Sequence, residues 1–389
     1  MRREDRAVVA QLGFLHGMVH ANLLAIPVLL NLPWRSEFLA DDVTLGLLAA
    51  IVYAFFGLSS VPFGFLADRR APSSLLVVSA GGIAASLASI ALSPSLPFLA
   101  VSLAALGLFS GIYHPTALAA ISRSVEEQGR GMGWHGMGGS LGIALGPAFV
   151  GTALTVGWSW RTAVGLLVLL PVLGAVLLAA RPLSASTMSP ASDAPLRIRS
   201  LATVPYARML LVYLFAGFAY QGTLTFLPRF IGAGPFALAL GLGAVGQVLA
   251  GTLADRSRSD RILFSLSLAA AGLLGLLALL GPSDAFVPPA LGLGLLLTPF
   301  VLAALGFGFL LFSLESLQNT LVTRTVPRSM RGLAFGLAFL SVFGLGSIGA
   351  ATAGVLMNQG ESSLLFILLG ASLAVSGGVS LGVGRLRKS

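Results

Sequence analysis

Twelve long apolar stretches constrain the fold of this chain more than any other feature of its sequence. Each is close to the roughly 20 residues that an α-helix needs to cross a bilayer. Only 10% of the 389 residues are charged, whereas soluble domains keep about a quarter, and the mean hydropathy is +0.93. The sequence therefore predicts an all-α membrane protein with twelve transmembrane helices. In chain order the predicted spans cover residues 7–31, 43–66, 73–93, 97–121, 130–154, 160–180, 206–230, 235–253, 261–281, 298–322, 332–357 and 362–384.

The basic residues predict the orientation of these spans. With both termini in the cytoplasm, all but three of the 23 arginines and lysines fall in cytoplasmic loops and tails, and the exceptions are Arg35, Arg161 and Arg229. This asymmetry is typical of the cytoplasmic side of a membrane protein. The net charge of +9 then follows from topology, so we expect no nucleic-acid partner. We place the protein in the plasma or inner membrane of the cell, with lipid around it.

The two halves of the chain repeat one another. His20–Pro27 aligns with Gln221–Pro228, and the Leu-Ala-Asp-Arg core of Gly64–Arg70 recurs in Gly251–Arg256. A duplication of six spans predicts two six-helix bundles related by a pseudo-two-fold axis along the membrane normal, with the substrate site between them near mid-membrane. Residues 285–297 are apolar but contain two prolines, and we leave open whether they form a loop, an interfacial helix or part of a span. The predicted divisions are a first bundle over 1–180, a cytoplasmic linker over 181–205 and a second bundle over 206–389.

Three short motifs carry a resemblance to a known family. The first joins spans two and three with Gly64, Asp68 and Arg69, and its copy in the second half has Gly251, Asp255 and Arg256. The second lies within the fifth span. The third consists of Tyr113-His114-Pro115 in the fourth span and the His20–Pro27 stretch. The fifth-span motif consists of Gly133, Gly142, Gly146, Pro147 and Gly151.

Together these motifs resemble the major facilitator superfamily over essentially the whole chain. The fifth-span motif is similar to the signature of its drug–proton antiporters, and the histidine motifs are similar to its fosmidomycin-resistance branch. Two departures stand out: Ala71-Pro72-Ser73 replaces the later glycine and basic residues of the loop motif, and no arginine lies in the fourth span near Gly107. The resemblance implies a membrane transporter, not an enzyme, and implies antiport of protons.

The loop motif predicts a gate. Asp68, at the cytoplasmic end of span two, can face the free amides and Arg331 at the start of span eleven, because helix N-termini attract carboxylates. Asp255 can do the same against the start of span five. Arg69 and Arg256 accompany the two aspartates. These contacts would hold the cytoplasmic faces together and break when the cavity opens inward; the alternative is that they only fix loop geometry.

Polar residues within the spans predict the site. Glu315 is the one acid that lies well inside a predicted span, and charges in hydrocarbon are costly and mark functional sites. The 201-residue offset of the halves pairs His114 with Glu315 and His20 with Gln221. We therefore expect Glu315 to carry the proton or hold a cationic substrate. The further cavity residues that we predict are His20, His114, His16, Gln221, Tyr113, Gln318 and Asn319, with Tyr53 and Tyr220 as weaker candidates.

The alternative for each of these residues is structural hydrogen bonding or packing between helices. His135, next to Trp134 and near the start of span five, is expected at the membrane interface. Four histidines scattered over three spans do not predict the closely grouped ligands of a metal site, so we assign no metal and no cofactor.

The sequence thus predicts a proton-coupled secondary transporter that works by alternating access as a monomer and exports a small organic compound. No nucleotide-binding loop is present, so the energy source would be an ion gradient. Three alternatives stay open: an importer of an organic solute, a transporter of transition metals or metal chelates that uses the histidines, and a receptor of this fold without transport. An intramembrane metalloenzyme is a remote fourth.

Overall fold

The structure, a computed structural model, describes residues 1–183, 198–256, 258–281 and 298–383, with the side chains of residues 128, 129, 198, 252, 254–256 and 328 left out. Most of the predicted linker and the ambiguous stretch 285–297 lie outside the described residues. The side chains of Asp255 and Arg256, for which we predict a second gate, also lie outside them.

The described residues contain twelve helices long and apolar enough to cross a membrane, and no strand, as the sequence predicts. An even number of spans places the start of the first helix and the end of the last on one side of the bilayer, called here the N-terminal side. In chain order the helices are α1 Arg3–Glu37, α2 Asp42–Ala67, α3 Pro72–Ala91, α4 Leu96–Ser124, α5 Arg130–Thr155, α6 Trp160–Ala180, α7 Val204–Ile231, α8 Ala233–Gly251, α9 Ser259–Leu280, α10 Pro299–Thr325, α11 Arg331–Asn358 and α12 Ser362–Ser380.

Packing between the helices repeats from one half to the other. α1 packs on α5, α2 on α4 and α3 on α6, and the corresponding pairs α7–α11, α8–α10 and α9–α12 pack in the second half. Across the halves, α2 lies along α11 and α5 lies along α8. This arrangement has the pseudo-two-fold symmetry predicted from the duplication, whereas the exact boundaries of the two bundles stay a prediction.

The α2–α11 contact brings two backbones together. A Cβ atom on Gly57 would lie 2.2 Å from the backbone nitrogen of Gly344, and one on Gly64 would lie 2.5 Å from the carbonyl oxygen of Gly332. Small residues permit such close approach of membrane helices, where packing and not the hydrophobic effect holds helices together. These four glycines thus serve the interface between the halves.

Two helices that border the central cavity depart from regular geometry near their midpoints. α4 is interrupted after Gly111, because Pro115 has no N–H to donate to the Gly111 carbonyl. The hydroxyl of Ser60 from α2 lies 3.1 Å from that carbonyl. α11 contains a π-helical segment, Leu340–Leu345, a feature that often occurs at functional sites. Both irregularities border the central cavity described next.

Candidate transport site

A cavity lies between the two halves near the middle of the bilayer. His20 of α1 and His114 of α4 line it from the first half, and residues of α7, α10 and α11 line it from the second. The centres of water molecules can occupy about 50 Å³ of it. One water needs about 10–15 Å³ of such volume, so the cavity holds a few waters. An organic substrate therefore requires the two halves to move apart.

The second-half wall carries the acid that the sequence predicts. Glu315, Gln318 and Asn319 of α10 all line the cavity, as expected from their common helix face. The Tyr213 hydroxyl of α7 donates to Asn319 Oδ1 at 2.7 Å, which leaves the Asn319 amide N–H groups for the Glu315 carboxyl one turn earlier. Glu315 lines the same cavity as His114, its counterpart at the 201-residue offset.

Aromatic rings form a large part of the remaining second-half wall. Phe312, Phe339 and Phe343 line the cavity together with Tyr220, and Phe339 lies 4.9 Å from the His114 ring between centroids. These phenylalanines are not among the cavity residues that the sequence predicts. Since the chain has 24 phenylalanines, nothing in the sequence separates the cavity-lining ones from those that face lipid.

The first-half wall holds a group of three histidines. His16 Nε2 lies 3.2 Å from His114 Nε2, and His114 Nε2 lies 3.2 Å from His20 Nε2. All three side chains are at most 5% exposed. The expectation that the histidines are scattered is therefore wrong, because α1 and α4 bring these three ring nitrogens to one point. We call His16, His20 and His114 the three-histidine group.

His135 adjoins this group instead of lying at the membrane interface as expected. Its ring stacks on His16 with centroids 4.2 Å apart, and its side chain is 3% exposed. Neighbouring residues on a helix point about 100° apart, so Trp134 faces outward while His135 faces inward. The Tyr113 hydroxyl donates to the Leu12 carbonyl, so it accepts the hydrogen bond that joins it to His135 Nε2 at 2.9 Å.

Four predicted cavity residues do not line the cavity: Tyr113, Gln221, Tyr53 and His16. His16 lies in the three-histidine group instead. Tyr113 instead joins α1, α4 and α5 through the bonds just described. The Gln221 side chain is fully buried in α7, without a hydrogen-bond partner among the described residues. Tyr53 packs its ring against Phe343 at 6.2 Å between centroids and is likewise unpartnered within the described part of the chain.

Asp68 joins the two halves on the N-terminal side of the cavity. Its carboxylate accepts hydrogen bonds from the amides of Gly332 at 3.1 Å and Leu333 at 3.0 Å, at the start of α11. Burial raises the pKa of the Asp68 carboxyl, whereas the two amides and Arg123 act in the opposite direction. The predicted contact with α11 is therefore present, and we call it the N-side latch.

The cation of the N-side latch differs from the predicted one. Arg123 of α4 lies 3.6 Å from Asp68 and also donates to the Ala67 carbonyl at 2.7 Å. Arg331 donates to the Thr323 carbonyl at 3.4 Å. Arg69 is exposed, with its guanidinium over the Phe65 ring. The sequence did not single out Arg123, because the pairing depends on how α4 packs against α2.

A second set of contacts joins the halves on the opposite side of the bilayer. Asp42, at the start of α2, is 4% exposed. Its carboxylate forms ion pairs with Arg229 of α7 at 2.8 Å and with Arg35 of α1. The Asn31 amide of α1 donates to the Thr225 carbonyl of α7 at 2.6 Å. We call these contacts the opposite-side latch. From the sequence, Arg35 and Arg229 contribute only to the predicted orientation.

The glycines of α5 pack mainly against α1 in the same half. A Cβ atom on Gly142 would lie 1.9 Å from the Gly17 carbonyl oxygen, and one on Gly151 would lie 2.6 Å from the Cβ of Ala233 in α8. Gly146 approaches the Ala21 backbone similarly, and Pro147 lies within the helix. Gly133 has no atom within 4 Å of the position of an added Cβ, so packing does not explain every member of the motif.

Comparisons with known proteins agree with this architecture. The sequence profile described as Major Facilitator Superfamily matches residues 12–351. Among solved structures, the chain is similar to a bacterial homologue of the human lysosomal transporter Spinster, in an inward-facing and occupied conformation. The two share 16% sequence identity with a TM-score of 0.64, over 99% of this chain and 96% of the other. No curated protein matches the sequence.

Proposed function

The chain belongs to the major facilitator superfamily and is a membrane transporter, not an enzyme; within that family, we propose that it is a proton-coupled secondary transporter that exports a small organic compound by alternating access. The observation that carries this proposal is the position of Glu315. It lies in a transmembrane helix, lines the cavity between the halves and faces histidines of the other half across it.

Glu315 can couple proton movement to substrate movement because its surroundings change as the cavity opens. A carboxylate in a closed apolar cavity is costly in its charged form, whereas a hydrated open cavity tolerates it. In the proposed cycle, Glu315 takes a proton from the cavity when it opens outward, and the substrate leaves. Reorientation then exposes Glu315 to the other side, where the proton is released and new substrate binds.

The two latches provide the alternating seal. The N-side latch joins α2 to α11 through Asp68, and the opposite-side latch joins α2 to α7 through Asp42 and Arg229. Both sets of contacts are made in this structure, so the halves are joined on both sides of the cavity. Each must break in turn when the cavity opens, and we infer that the N-terminal side is cytoplasmic because the basic loops lie there.

The aromatic wall supports an organic substrate. Phe312, Phe339 and Phe343 offer flat apolar surfaces, while Glu315, Gln318 and Asn319 supply a few polar contacts, and this mixture is typical of sites for small organic molecules. This proposal also includes the similarity to the drug–proton antiporter and fosmidomycin-resistance branches. It further includes a location in the plasma or inner membrane and a monomeric state.

A growth experiment tests the direction of transport and the role of Glu315 together. A strain that expresses the protein is exposed to a panel of toxic organic compounds and, separately, grown on limiting organic nutrients. We expect resistance to at least one compound, abolished by Glu315→Gln and retained by Glu361→Gln, a matched variant of an exposed loop acid. Growth on a nutrient without resistance to any compound would instead favour an importer.

A further inference from the structure

The three-histidine group has the geometry of a metal-binding site. Two of the distances between its Nε2 atoms, from His114 to His16 and from His114 to His20, are 3.2 Å, and all three offer a nitrogen within 4.8 Å of the others. Histidine nitrogens bind zinc at about 2.0–2.1 Å, which places two ligands of a tetrahedral ion about 3.3 Å apart. Two of the three nitrogen pairs thus have the spacing that one ion requires, and the third lies within 4.8 Å.

Hydrogen bonding alone does not account for this convergence. His16 Nδ1 lies 3.0 Å from the His135 carbonyl oxygen, which can only accept, so the neutral His16 ring carries its proton on Nδ1 and a lone pair on Nε2. If His114 Nε2 carries a proton, it can donate well to only one of its two neighbours. If it carries a lone pair, it faces the lone pair of His16. One of the two 3.2 Å contacts therefore lacks a hydrogen, whereas a metal ion accepts all three lone pairs.

The carbonyl of His135 also serves as support for a ligand. A histidine that binds a metal commonly donates its other N–H to a carbonyl or carboxylate, which fixes the tautomer and the ring orientation. The bond from His16 Nδ1 to this backbone oxygen is of that kind. It presents the Nε2 lone pair of His16 toward His114 before any ion binds.

The chemistry of the group indicates the class of ion. Imidazole suits zinc, copper, iron and nickel, and the chain contains no cysteine that would favour a softer ion. Three protein ligands leave a fourth position open, as in sites that exchange a water or substrate. His20 and His114 line the transport cavity, so this position faces it, and Glu315 on the same cavity offers the negative charge that lowers the cost of a buried cation.

We propose that His16, His20 and His114 bind a divalent transition-metal ion of the Zn²⁺ class, with its fourth coordination position directed into the transport cavity. This proposal concerns metal binding alone. It therefore depends neither on the direction of transport nor on the identity of the organic substrate. The sequence predicts no metal site, and the proposal differs from that prediction because only the folded chain shows that the ligands converge.

Metal titration of the purified protein tests this site. The full chain, purified in detergent through an affinity tag without histidines, is stripped with a chelator and titrated with Zn²⁺ in competition with a chromophoric chelator. We expect one bound ion per chain, and binding weaker by about 100-fold or more in His20→Gln and His114→Gln, since even supporting residues cost 10–100-fold. His135→Phe is the matched control, because it keeps the stacked ring and the backbone carbonyl. It should bind within about threefold of the natural protein.

Substitution by Co²⁺ gives a readout that does not depend on the variants. A four-coordinate ion in the three-histidine group should show the strong visible absorption of tetrahedral Co²⁺ in the natural protein. Absorption only of the weak, six-coordinate kind would overturn the proposal, since it indicates surface binding. Equal Zn²⁺ stoichiometry and affinity in the natural protein and in His20→Gln, with both proteins monodisperse, would overturn it as well.

Discussion

At the scale of single residues, the transport site is built from polar groups that hydrocarbon makes costly. Glu315 and His114 face one another across the cavity because each half supplies a polar residue at an equivalent position. Some buried polar groups are paired, such as the Tyr213 hydroxyl with Asn319. Others, such as the Tyr53 hydroxyl, have no partner in the described residues. The two kinds should respond differently to removal.

Two tyrosines test this difference. Both Tyr213 and Tyr53 are 2% exposed. Tyr213→Phe leaves Asn319 Oδ1 without its donor and should destabilise the folded protein by about 1 kcal/mol. Tyr53→Phe removes a hydroxyl that has no partner and should leave stability unchanged or slightly higher. Thermal unfolding in detergent checks both, and an equal loss of stability in the two variants would show that the Tyr213 hydrogen bond contributes nothing.

Much of the site was predictable at this scale, and the reason for the rest is physical. His20, His114, Glu315, Gln318 and Asn319 could be selected because a polar side chain within a span is rare and requires a partner or a cavity. The position of His135, the pairing of Asp68 with Arg123 and the aromatic wall could not. Each depends on which helix faces meet, and the sequence of one helix does not determine its neighbours.

At the scale of helices, the number of spans was predictable and their irregularities were not. A segment in lipid must satisfy its backbone hydrogen bonds internally, so twelve apolar stretches give twelve helices. The π-helical segment Leu340–Leu345 and the extension of α1 from Arg3 to Glu37 have no such signal in the sequence. Within the fifth-span motif, likewise, some glycines leave no room for a side chain and others do.

Two glycines of α5 test the role of packing. Gly142→Ala would place a methyl group 1.9 Å from the Gly17 carbonyl oxygen. Since backbone atoms cannot give way cheaply, it should destabilise the protein by about 1–3 kcal/mol. Gly133→Ala places its methyl group in open space and should stabilise the helix by up to about 1 kcal/mol. Thermal unfolding of the two variants in detergent should therefore shift in opposite directions, and a common direction would contradict the packing assigned to Gly142.

At the scale of the whole molecule, two latches on opposite sides of one cavity predict opposite effects on its opening. Asp68→Asn weakens the contact of α2 with α11 on the N-terminal side, and Asp42→Asn weakens the contact of α2 with α7 on the opposite side. Each variant should raise the population that is open on its own side. The two substitutions thus form a matched pair, since each removes one buried carboxylate charge from the same helix.

A single introduced cysteine can report these populations. The chain has no cysteine of its own, so an introduced cysteine is labelled without background. Ala216 lines the cavity and is 6% exposed, which makes Ala216→Cys a suitable reporter. A membrane-impermeant maleimide added on the N-terminal side should label this position faster in Asp68→Asn, and one added on the opposite side should label it faster in Asp42→Asn. Acceleration from the same side in both variants would show that the latches do not act separately.

The central claim is that Glu315 carries the proton that drives transport, and flux in proteoliposomes tests it most directly. With a compound identified by the resistance screen, the natural protein should accumulate it against its gradient when a pH gradient is imposed, and should also exchange it without any gradient. Glu315→Gln should keep the exchange, which shows that it folds and binds, and should lose the proton-driven accumulation. Accumulation driven by the pH gradient at an undiminished rate in Glu315→Gln would contradict the account.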